Sequence, residues 1–316
     1  KKNTIIASKE IENNSKANFE KVLDKKNLKK FESTDEGLGT EYFEDILDDN
    51  EPDTSDDSVR FSAQEIEKLF EETDYNLINV RKTKLVQPFP IAHLPEEMKI
   101  IQGIKKKKNL FIKIILPLIL EENNKVKLNR KKLFAILNKS NNSAAEKSWL
   151  NQKFKQYGVL NKDLLTLKIR MDIVPVSLAI AQAAKETGWG KSRFALEGNA
   201  LFGQWTWSGE GIKPASADSD ATHKIMKFKI LRASVRAYQR NLNTHSSYKE
   251  FREARAIQRD NDGKLNSLEL VEYLDKYAET GKEYIVVLKK IIEQNSLTDF
   301  DEVKLLPSSK KLKKLI

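Results

Sequence analysis

Residues 174–190 constrain the fold of this chain more than any other segment. They run Val-Pro-Val-Ser-Leu-Ala-Ile-Ala-Gln-Ala-Ala-Lys-Glu-Thr-Gly-Trp-Gly. Proline suits the first turn of a helix and glycine suits the position just past its end. Pro175 and Gly188 therefore predict the two ends of one helix.

An acidic side chain near the end of this helix, Glu186, is the first candidate for chemistry. The residues three, four, seven and eight positions before it share its face of the helix. They are Ala183, Gln182, Ala179 and Leu178. A helix normally buries such a mostly apolar face. Burial and the negative end of the helix dipole both disfavour a carboxylate, so we expect a raised pKa for Glu186, as a general acid requires.

A purely structural role for Glu186 is the alternative, because a glutamate near a helix end often caps the helix or pairs with a nearby cation, here Lys191 or Arg193. The residues that follow favour chemistry. A tight turn is predicted at 199–203, and two tryptophans follow on a strand-like stretch. Aromatic rings stack on the apolar faces of sugars, which favours a saccharide site, whereas packing of these rings in the core is the competing interpretation.

Charge is distributed unevenly along the chain. The formal net charge of +10 combines a balance of −15 between Glu32 and Asp74 with +25 elsewhere. A basic surface suits an anionic polymer such as a bacterial wall polymer, a nucleic acid or anionic lipid. No known nucleic-acid motif interleaves the lysines with aromatic residues, so we expect no nucleic-acid partner.

Four regions follow from composition and periodicity. Residues 1–92 are polar and acidic with few apolar positions, and helical periodicity is sustained only at 63–70, so we predict a largely disordered acidic arm. Residues 93–170 are predicted to be a helical extension that packs on a catalytic domain at 171–303. Residues 304–316 are predicted to be a basic tail.

Helical patterns dominate the second and third regions. The apolar residues 110–120 are too few to span a bilayer, which takes ~20 residues, and are predicted to form a buried core helix. Two alternating stretches, 202–207 and 223–228, predict a small β-lobe. The fold class is therefore predicted to be mainly α (α+β). The other predicted helices are 130–137, 149–157, 162–171, 231–243, 267–277 and 282–295.

Two motifs match a known family. Residues 181–195 run Ala-Gln-Ala-Ala-Lys-Glu-Thr-Gly-Trp-Gly-Lys-Ser-Arg-Phe-Ala, and residues 198–203 run Gly-Asn-Ala-Leu-Phe-Gly. Together they resemble the Bax-type branch of the bacterial glucosaminidase family, whose second motif carries asparagine where this chain has Ala200. The similarity extends back over residues 110–121 and forward to Ile292.

The resemblance implies a lysozyme-like fold and hydrolysis of the β-1,4 bond after N-acetylglucosamine in peptidoglycan, with Glu186 as proton donor. It also implies that Tyr277, in Tyr-Ala-Glu-Thr-Gly, positions the sugar near its acetamido group, although a core tyrosine is the alternative. Two other functions stay open. One is a lytic transglycosylase, and the other is a non-catalytic wall-binding or scaffold protein that keeps the fold.

The sequence does not single out a second catalytic group. Glu210 is the first candidate, with Asp218, Asp220 and Glu279 behind it, and assistance by the substrate's acetamido group would remove the need for one. The residues expected to bind substrate are Gln182, Trp189, Asn199, Phe202, Gln204, Trp205, His223 and Tyr277.

We expect no metal and no cofactor. The chain has no cysteine, and its three histidines are widely separated without metal-ligand spacing. Residues 260–269 resemble part of a calcium loop, but Gln258 occupies the first ligand position, so we predict a turn between helices. We expect a monomer in the bacterial cell envelope, periplasmic or extracellular, that acts on an N-acetylglucosamine-containing glycan. Any leader or membrane anchor would lie outside this sequence.

Overall fold

A computed structural model of the protein describes residues 59–206, 211–213 and 224–307. The α-helices are α1 (Ala63–Glu72), α2 (Leu77–Thr83), α3 (Ile104–Leu137), α4 (Ala144–Gln156), α5 (Leu164–Arg170), α6 (Val176–Thr187), α7 (Arg193–Gly198), α8 (Leu231–Thr244), α9 (Lys249–Asn261), α10 (Ser267–Leu270) and α11 (Lys282–Gln294). The strands are β1 (Leu85–Val86), β2 (Trp205–Thr206), β3 (Gly211–Ile212), β4 (Lys224–Met226) and β5 (Lys304–Leu305), and 3-10 helices lie at Glu96–Lys99, Ser246–Tyr248, Val271–Tyr277 and Leu297–Phe300. The predicted mainly α architecture with a small β-lobe is confirmed.

Helix α6 lies at the centre of the fold. Pro175 is its N-cap residue, and Gly188 ends it in the left-handed conformation with φ of 57°, as the sequence predicts. Of its twelve residues, all but Lys185 and Glu186 are buried. It packs against α3, α11 and the 3-10 helix Leu297–Phe300, so the position of Glu186 is set by elements from both halves of the described chain.

Helix α3 joins two helices that the sequence predicts separately. Its 34 residues include the predicted stretches 110–121 and 130–137, and Pro117 lies inside it. Residues 110–120 are buried apart from Lys113, which confirms the predicted core helix. In the described ranges, no helix combines the length and apolarity that a membrane span requires.

The predicted disordered arm is wrong for residues 59–92. Ser62 and Glu65 form a reciprocal capping box that starts α1, and Phe70 on that helix is buried against Tyr75 and Phe89, with ring centroids 4.9 and 5.1 Å away. These rings belong to the same core cluster as α6. A few large aromatic side chains supply enough apolar area to fold a segment whose average composition is polar. Residues 1–58 lie outside the described part.

A second apolar cluster lies beneath the C-terminal half of α3. It contains Leu133 with Phe154 and Tyr157 of the α4 region and Leu167 of α5. Residues 93–170 thus contribute to two clusters, since Leu110 and its neighbours share the main core with α6. Helix α3 packs on α6, and the division into an extension at 93–170 and a catalytic domain at 171–303 stays a prediction.

The β-lobe is a three-stranded antiparallel sheet with the order β2-β4-β3, in which Trp205 pairs with Ile225 and Gly211 pairs with Met226. The two predicted stretches supply β2 and β4, whereas β3 was not predicted. Strands β1 and β5 form a separate parallel pair. The first two residues of the predicted basic tail form β5, where Lys304 pairs with Leu85 and Leu305 pairs with Val86.

Helix α9 was missed by the sequence analysis. It ends at Asn261, and α10 begins at Ser267, so residues 262–266 form the turn that the sequence predicts in place of a calcium loop. The predicted helix 267–277 consists of α10 followed by a 3-10 segment with a kink at Tyr273 and Leu274.

Candidate active site

Glu186 occupies the last turn of α6, beside a turn that ends in Gly203. A methyl group placed on Gly203 would lie 3.2 Å from Glu186 Oε2. Gly203 has φ of +62°, so glycine is needed here both for the backbone conformation and for the approach of the carboxylate. Arg193, one of the two cations considered as structural partners, pairs with Glu197 and donates to the Lys213 carbonyl instead.

A chain of hydrogen bonds inside the fold leads to Oε1, the other carboxylate oxygen of Glu186. The Tyr284 hydroxyl donates to Glu186 Oε1 at 2.9 Å. Gln182 Nε2 donates to the Tyr284 oxygen at 3.1 Å, and the Tyr238 hydroxyl donates to Gln182 Oε1 at 2.6 Å. We call the four residues Tyr238, Gln182, Tyr284 and Glu186 the polar chain. Both Gln182 and Tyr238 are fully buried, so only its Glu186 end is positioned to reach solvent.

The environment of Glu186 raises its pKa. Burial is the largest cause, and it outweighs the hydrogen bond from Tyr284 and the charge of Lys185, both of which lower the pKa. The sequence-based expectation of a raised pKa, with burial as a cause, is confirmed. A carboxyl group of this kind keeps its proton at a higher pH than a solvated glutamate and can deliver it to a bound group.

Aromatic rings stack next to the polar chain. Phe202 lies flat on Tyr238, with ring centroids 3.9 Å apart and an interplanar angle of 7°, and Tyr277 stacks on Tyr284 at 5.6 Å and 9°. The Tyr277 hydroxyl donates to the carbonyl of Phe202 at 2.9 Å. Tyr277 thus ties the turn before Gly203 to the segment that carries Tyr284. Burial raises the pKa of Tyr277 well above its ordinary value, so this hydroxyl is a donor.

Several predicted substrate-binding residues have their side chains inside the fold. Gln182 and Phe202 are at most 1% exposed and act in the contacts above. The Asn199 side-chain amide donates to the carbonyls of Phe228 and Lys229, both at 2.9 Å, and its oxygen lies 3.2 Å from His93 Nδ1. These residues shape the turn beside Glu186, and direct contact with substrate through their side chains stays a prediction.

Three other residues that were predicted to bind substrate, Trp189, Gln204 and Trp205, are more exposed to solvent than Gln182 and Phe202. Trp205 on β2 is 44% exposed, and Gln204 Oε1 is buried without a hydrogen-bond donor among the described residues. The Trp189 ring is partly buried between the Phe111 ring and the Lys108 ammonium group, 5.9 and 4.8 Å away. Gln204 and Trp205 follow Gly203 directly in the chain, whereas the Trp189 ring packs against α3.

The candidates for a second catalytic group are distributed differently. Glu210, Asp218 and Asp220 lie outside the described residues, as does His223. Glu279 is exposed, in the turn between Tyr277 and α11. In the described ranges no group of three or more histidine and acidic side chains is arranged to hold a metal ion, and the expectation of a metal-free site stays a prediction.

The sequence analysis missed Tyr238 of the polar chain, and it also missed Tyr284. Tyr284 shares one face of α11 with Leu288 and Ile292, four and eight positions later, and all three are buried. A tyrosine in such a row is typical of an apolar core position. The sequence carried no signal for its stacking on Tyr277, because the two tyrosines lie in different helical elements joined by a turn.

Comparisons with known proteins place the matched region around this site. A family model described as mannosyl-glycoprotein endo-beta-N-acetylglucosaminidase, the glucosaminidase family, matches residues 161–297. Protein bax of Escherichia coli (strain K12) is 31% identical over 213 residues, which are 65% of this chain and 75% of that protein. The residues matched by the family model include Glu186 and the other three members of the polar chain.

One solved structure resembles the chain. It is the catalytic domain of the autolysin Auto from Listeria monocytogenes, 21% identical, and the match covers 55% of this chain and 97% of that domain with a TM-score of 0.32.

Proposed function

This chain belongs to the Bax-type branch of the glucosaminidase family, and on that premise we propose that it hydrolyses the β-1,4 bond after N-acetylglucosamine in peptidoglycan. Glu186 is the general acid that protonates the leaving glycosidic oxygen. The site of action is the bacterial cell envelope, where this polymer lies.

The state of Glu186 is the observation that supports this proposal. Its carboxyl group is largely buried, which raises its pKa. Its Oε1 is fixed by Tyr284, and its Oε2 faces Gly203, where no side chain intervenes. A protonated acid whose orientation is fixed through one oxygen suits the protonation of a leaving group.

Groups suited to sugar binding follow Gly203 directly. The exposed ring of Trp205 offers an apolar face on which a pyranose can stack. The buried Oε1 of Gln204 lacks a donor among the described residues, and the N–H of an acetamido group would supply one. We assign these two residues to substrate binding, with Tyr277 holding the turn in place.

We keep Glu210 as the proposed second carboxylate. A water-activating base lies ~6.5–9.5 Å from the acid in inverting enzymes, and a nucleophile lies ~5 Å away in retaining ones. Glu210 falls between β2 and β3 in the chain, on the connection within the lobe that follows Gly203. A Glu210→Gln variant therefore tests whether the acid acts with a protein partner or with the substrate's own acetamido group.

Digestion of purified peptidoglycan, followed by mass spectrometry of the fragments, tests the proposed reaction. The native chain is expected to release fragments with new reducing N-acetylglucosamine ends. Glu186→Gln is expected to lose about 10²–10⁴-fold in rate, the usual contribution of a general acid. Glu293→Gln is the matched control, because Glu293 is an exposed glutamate on α11, and it should leave the rate unchanged.

Three outcomes would contradict the proposal in different ways. Intact glycan after prolonged digestion would exclude hydrolysis. Anhydro-muramyl products would identify a lytic transglycosylase. Full activity of Glu186→Gln would exclude Glu186 as the general acid.

A further inference from the structure

The connection between the 3-10 helix Glu96–Lys99 and α3 exposes two isoleucines. Ile104 is 76% exposed, more than any other large apolar side chain of the described residues, and Ile100 is 70% exposed. A chain spans at most ~3.6 Å per residue, so the Cα atoms of these two residues lie within about 14 Å of each other. Single exposed apolar residues are common, whereas grouped ones indicate an interaction surface.

The rest of this connection is anchored in the fold. Met98 is fully buried, and Ile101 packs against the main core. The amides of Ile100 and Ile101 both donate to the Glu97 carbonyl at 2.9 Å. Ile100 and Ile104 therefore project from a surface whose backbone is held by buried neighbours.

Lysines flank the two isoleucines. One lysine comes directly before the first isoleucine, and four lysines follow the second. In the part of the chain that the structure describes, no ion pair involves Lys99, Lys105 or Lys107. Lys105 and Lys107 lie in the first turn of α3, which contains no acidic residue. A positive charge is unfavourable at that end of a helix, so helix stability does not explain these lysines.

The other charged groups of this surface have partners within the fold. Lys106 pairs with Glu67 at 3.1 Å, and Glu96 pairs with Arg60 at 3.0 Å. The Glu97 carboxylate accepts from the first amide of α1 at 3.4 Å. These carboxylates therefore leave the charge of the three remaining lysines largely uncompensated. The basic apolar patch is formed by Lys99, Ile100, Ile104, Lys105 and Lys107.

The surface of an anionic bilayer complements both features of this patch. The acyl boundary removes isoleucine side chains from water, and lipid phosphates attract the lysines. An apolar protein surface would complement only the isoleucines, and a soluble anionic polymer would complement only the lysines. We propose that the basic apolar patch docks this protein reversibly on a bilayer that contains anionic phospholipid.

Bilayer docking is independent of the hydrolysis proposed for Glu186. A carboxylate at the end of α6 takes no part in the patch, so Glu186→Gln should bind lipid as the native chain does. Loss of hydrolysis with lipid binding retained, or the reverse, would therefore separate the two proposals.

Co-sedimentation of the full chain with lipid vesicles at low ionic strength tests the proposal. Vesicles of equal parts phosphatidylcholine and phosphatidylglycerol should bind the native chain at least about tenfold more tightly than vesicles of phosphatidylcholine alone. Both measurements use the unaltered protein, so a folding defect in a variant cannot produce this result. Equal binding to the two kinds of vesicle, or no binding to either, would overturn the proposal.

Two variants test the apolar and the charged parts of the patch separately. Ile104→Gln should weaken binding to the anionic vesicles about tenfold, and Lys105→Gln should weaken it about fivefold. Ile257→Gln on α9 and Lys147→Gln on α4 are the matched controls, because both side chains are exposed outside the patch. Each control should bind as the native chain does.

Two further outcomes would assign the patch to another partner. Full binding of Ile104→Gln to the vesicles, together with equal affinity for soluble polyphosphate, would overturn the proposal in favour of an anionic polymer. A dimer of the native chain in analytical ultracentrifugation that Ile104→Gln dissociates would overturn it in favour of a second copy of this chain.

Discussion

Replacing Tyr284 by phenylalanine removes one oxygen atom from the middle of the polar chain. That oxygen serves both neighbours: it accepts from Gln182 Nε2 and donates to Glu186 Oε1. The ring itself stays stacked on Tyr277, with centroids 5.6 Å apart, so the packing of α11 is preserved. The substitution therefore isolates the two hydrogen bonds.

The effect on stability follows from the burial of Gln182. Its side chain is fully buried, so Nε2 would have neither protein nor water as an acceptor. A buried donor left without a partner costs ~1–3 kcal/mol. We expect the free energy of unfolding of Tyr284→Phe, measured by urea titration, to fall by about that amount.

The effect on catalysis appears in the pH profile. The Tyr284 hydroxyl stabilises the ionised form of Glu186 and so lowers its pKa against the larger, opposite effect of burial. Without the hydroxyl, the pKa of Glu186 rises. A general acid works while protonated, so activity falls as the pH rises through this pKa. The alkaline limb of kcat/KM against pH, measured on peptidoglycan, should therefore move to higher pH.

Tyr277→Phe is the matched control. Its hydroxyl donates to the carbonyl of Phe202 and not to Glu186, so this variant should lose stability without moving the alkaline limb. An alkaline limb that stays in place or moves to lower pH in Tyr284→Phe would refute the role assigned to the hydrogen bond. A loss of stability below ~0.5 kcal/mol would refute the burial argument.

Three further predictions concern the surroundings of the site. Gly203→Ala should destabilise the fold by ~1–2 kcal/mol in thermal unfolding, since φ is +62° and the new methyl group would lie 3.2 Å from Glu186 Oε2, and it should also reduce the rate; an unchanged rate would contradict the approach of the carboxylate to this turn. Burial raises the pKa of Asp172, but the surrounding arginines outweigh it and the net pKa is lowered. The stabilisation from this carboxylate is therefore present above its unfolded pKa and is lost as pH falls through its folded pKa, so the ~1–3 kcal/mol cost of Arg259→Gln at pH 7 should shrink below pH ~4 in urea titrations; a cost independent of pH would contradict this linkage. Trp205→Ala should raise KM for peptidoglycan while changing stability by less than ~0.5 kcal/mol, because its ring is 44% exposed; an unchanged KM would exclude the ring from sugar binding.

Local signals determined the central element of the protein. Pro175 and Gly188 predicted the ends of α6 because the constraints of proline and glycine act within a few residues. The helical repeat predicted which residues share a face of α6 with Glu186. Burial raises the pKa of Glu186, which is the direction that the sequence predicts. The motifs around it indicate the family from the sequence alone.

The average composition of residues 59–92 was less informative about whether they fold than their few large aromatic side chains. Residues 59–92 are polar overall, yet Phe70, Tyr75 and Phe89 pack against one another in the main core. The capping box at Ser62 and Glu65 was visible in the sequence and marks the start of α1. The sequence could not show that other elements of the main core provide an apolar surface on which these three rings pack.

Only the tertiary structure decided what surrounds Glu186. Tyr284 lies 98 positions later in the chain and reaches Glu186 because α11 packs on α6. Gln182 was predicted to bind substrate, but its side chain bonds to Tyr284 and Tyr238 within the polar chain. These two tyrosines lie on other helices, so the sequence around Gln182 does not reveal them. Local rules determine which residues share one face of a helix, whereas contacts between helices depend on the packing of the whole chain.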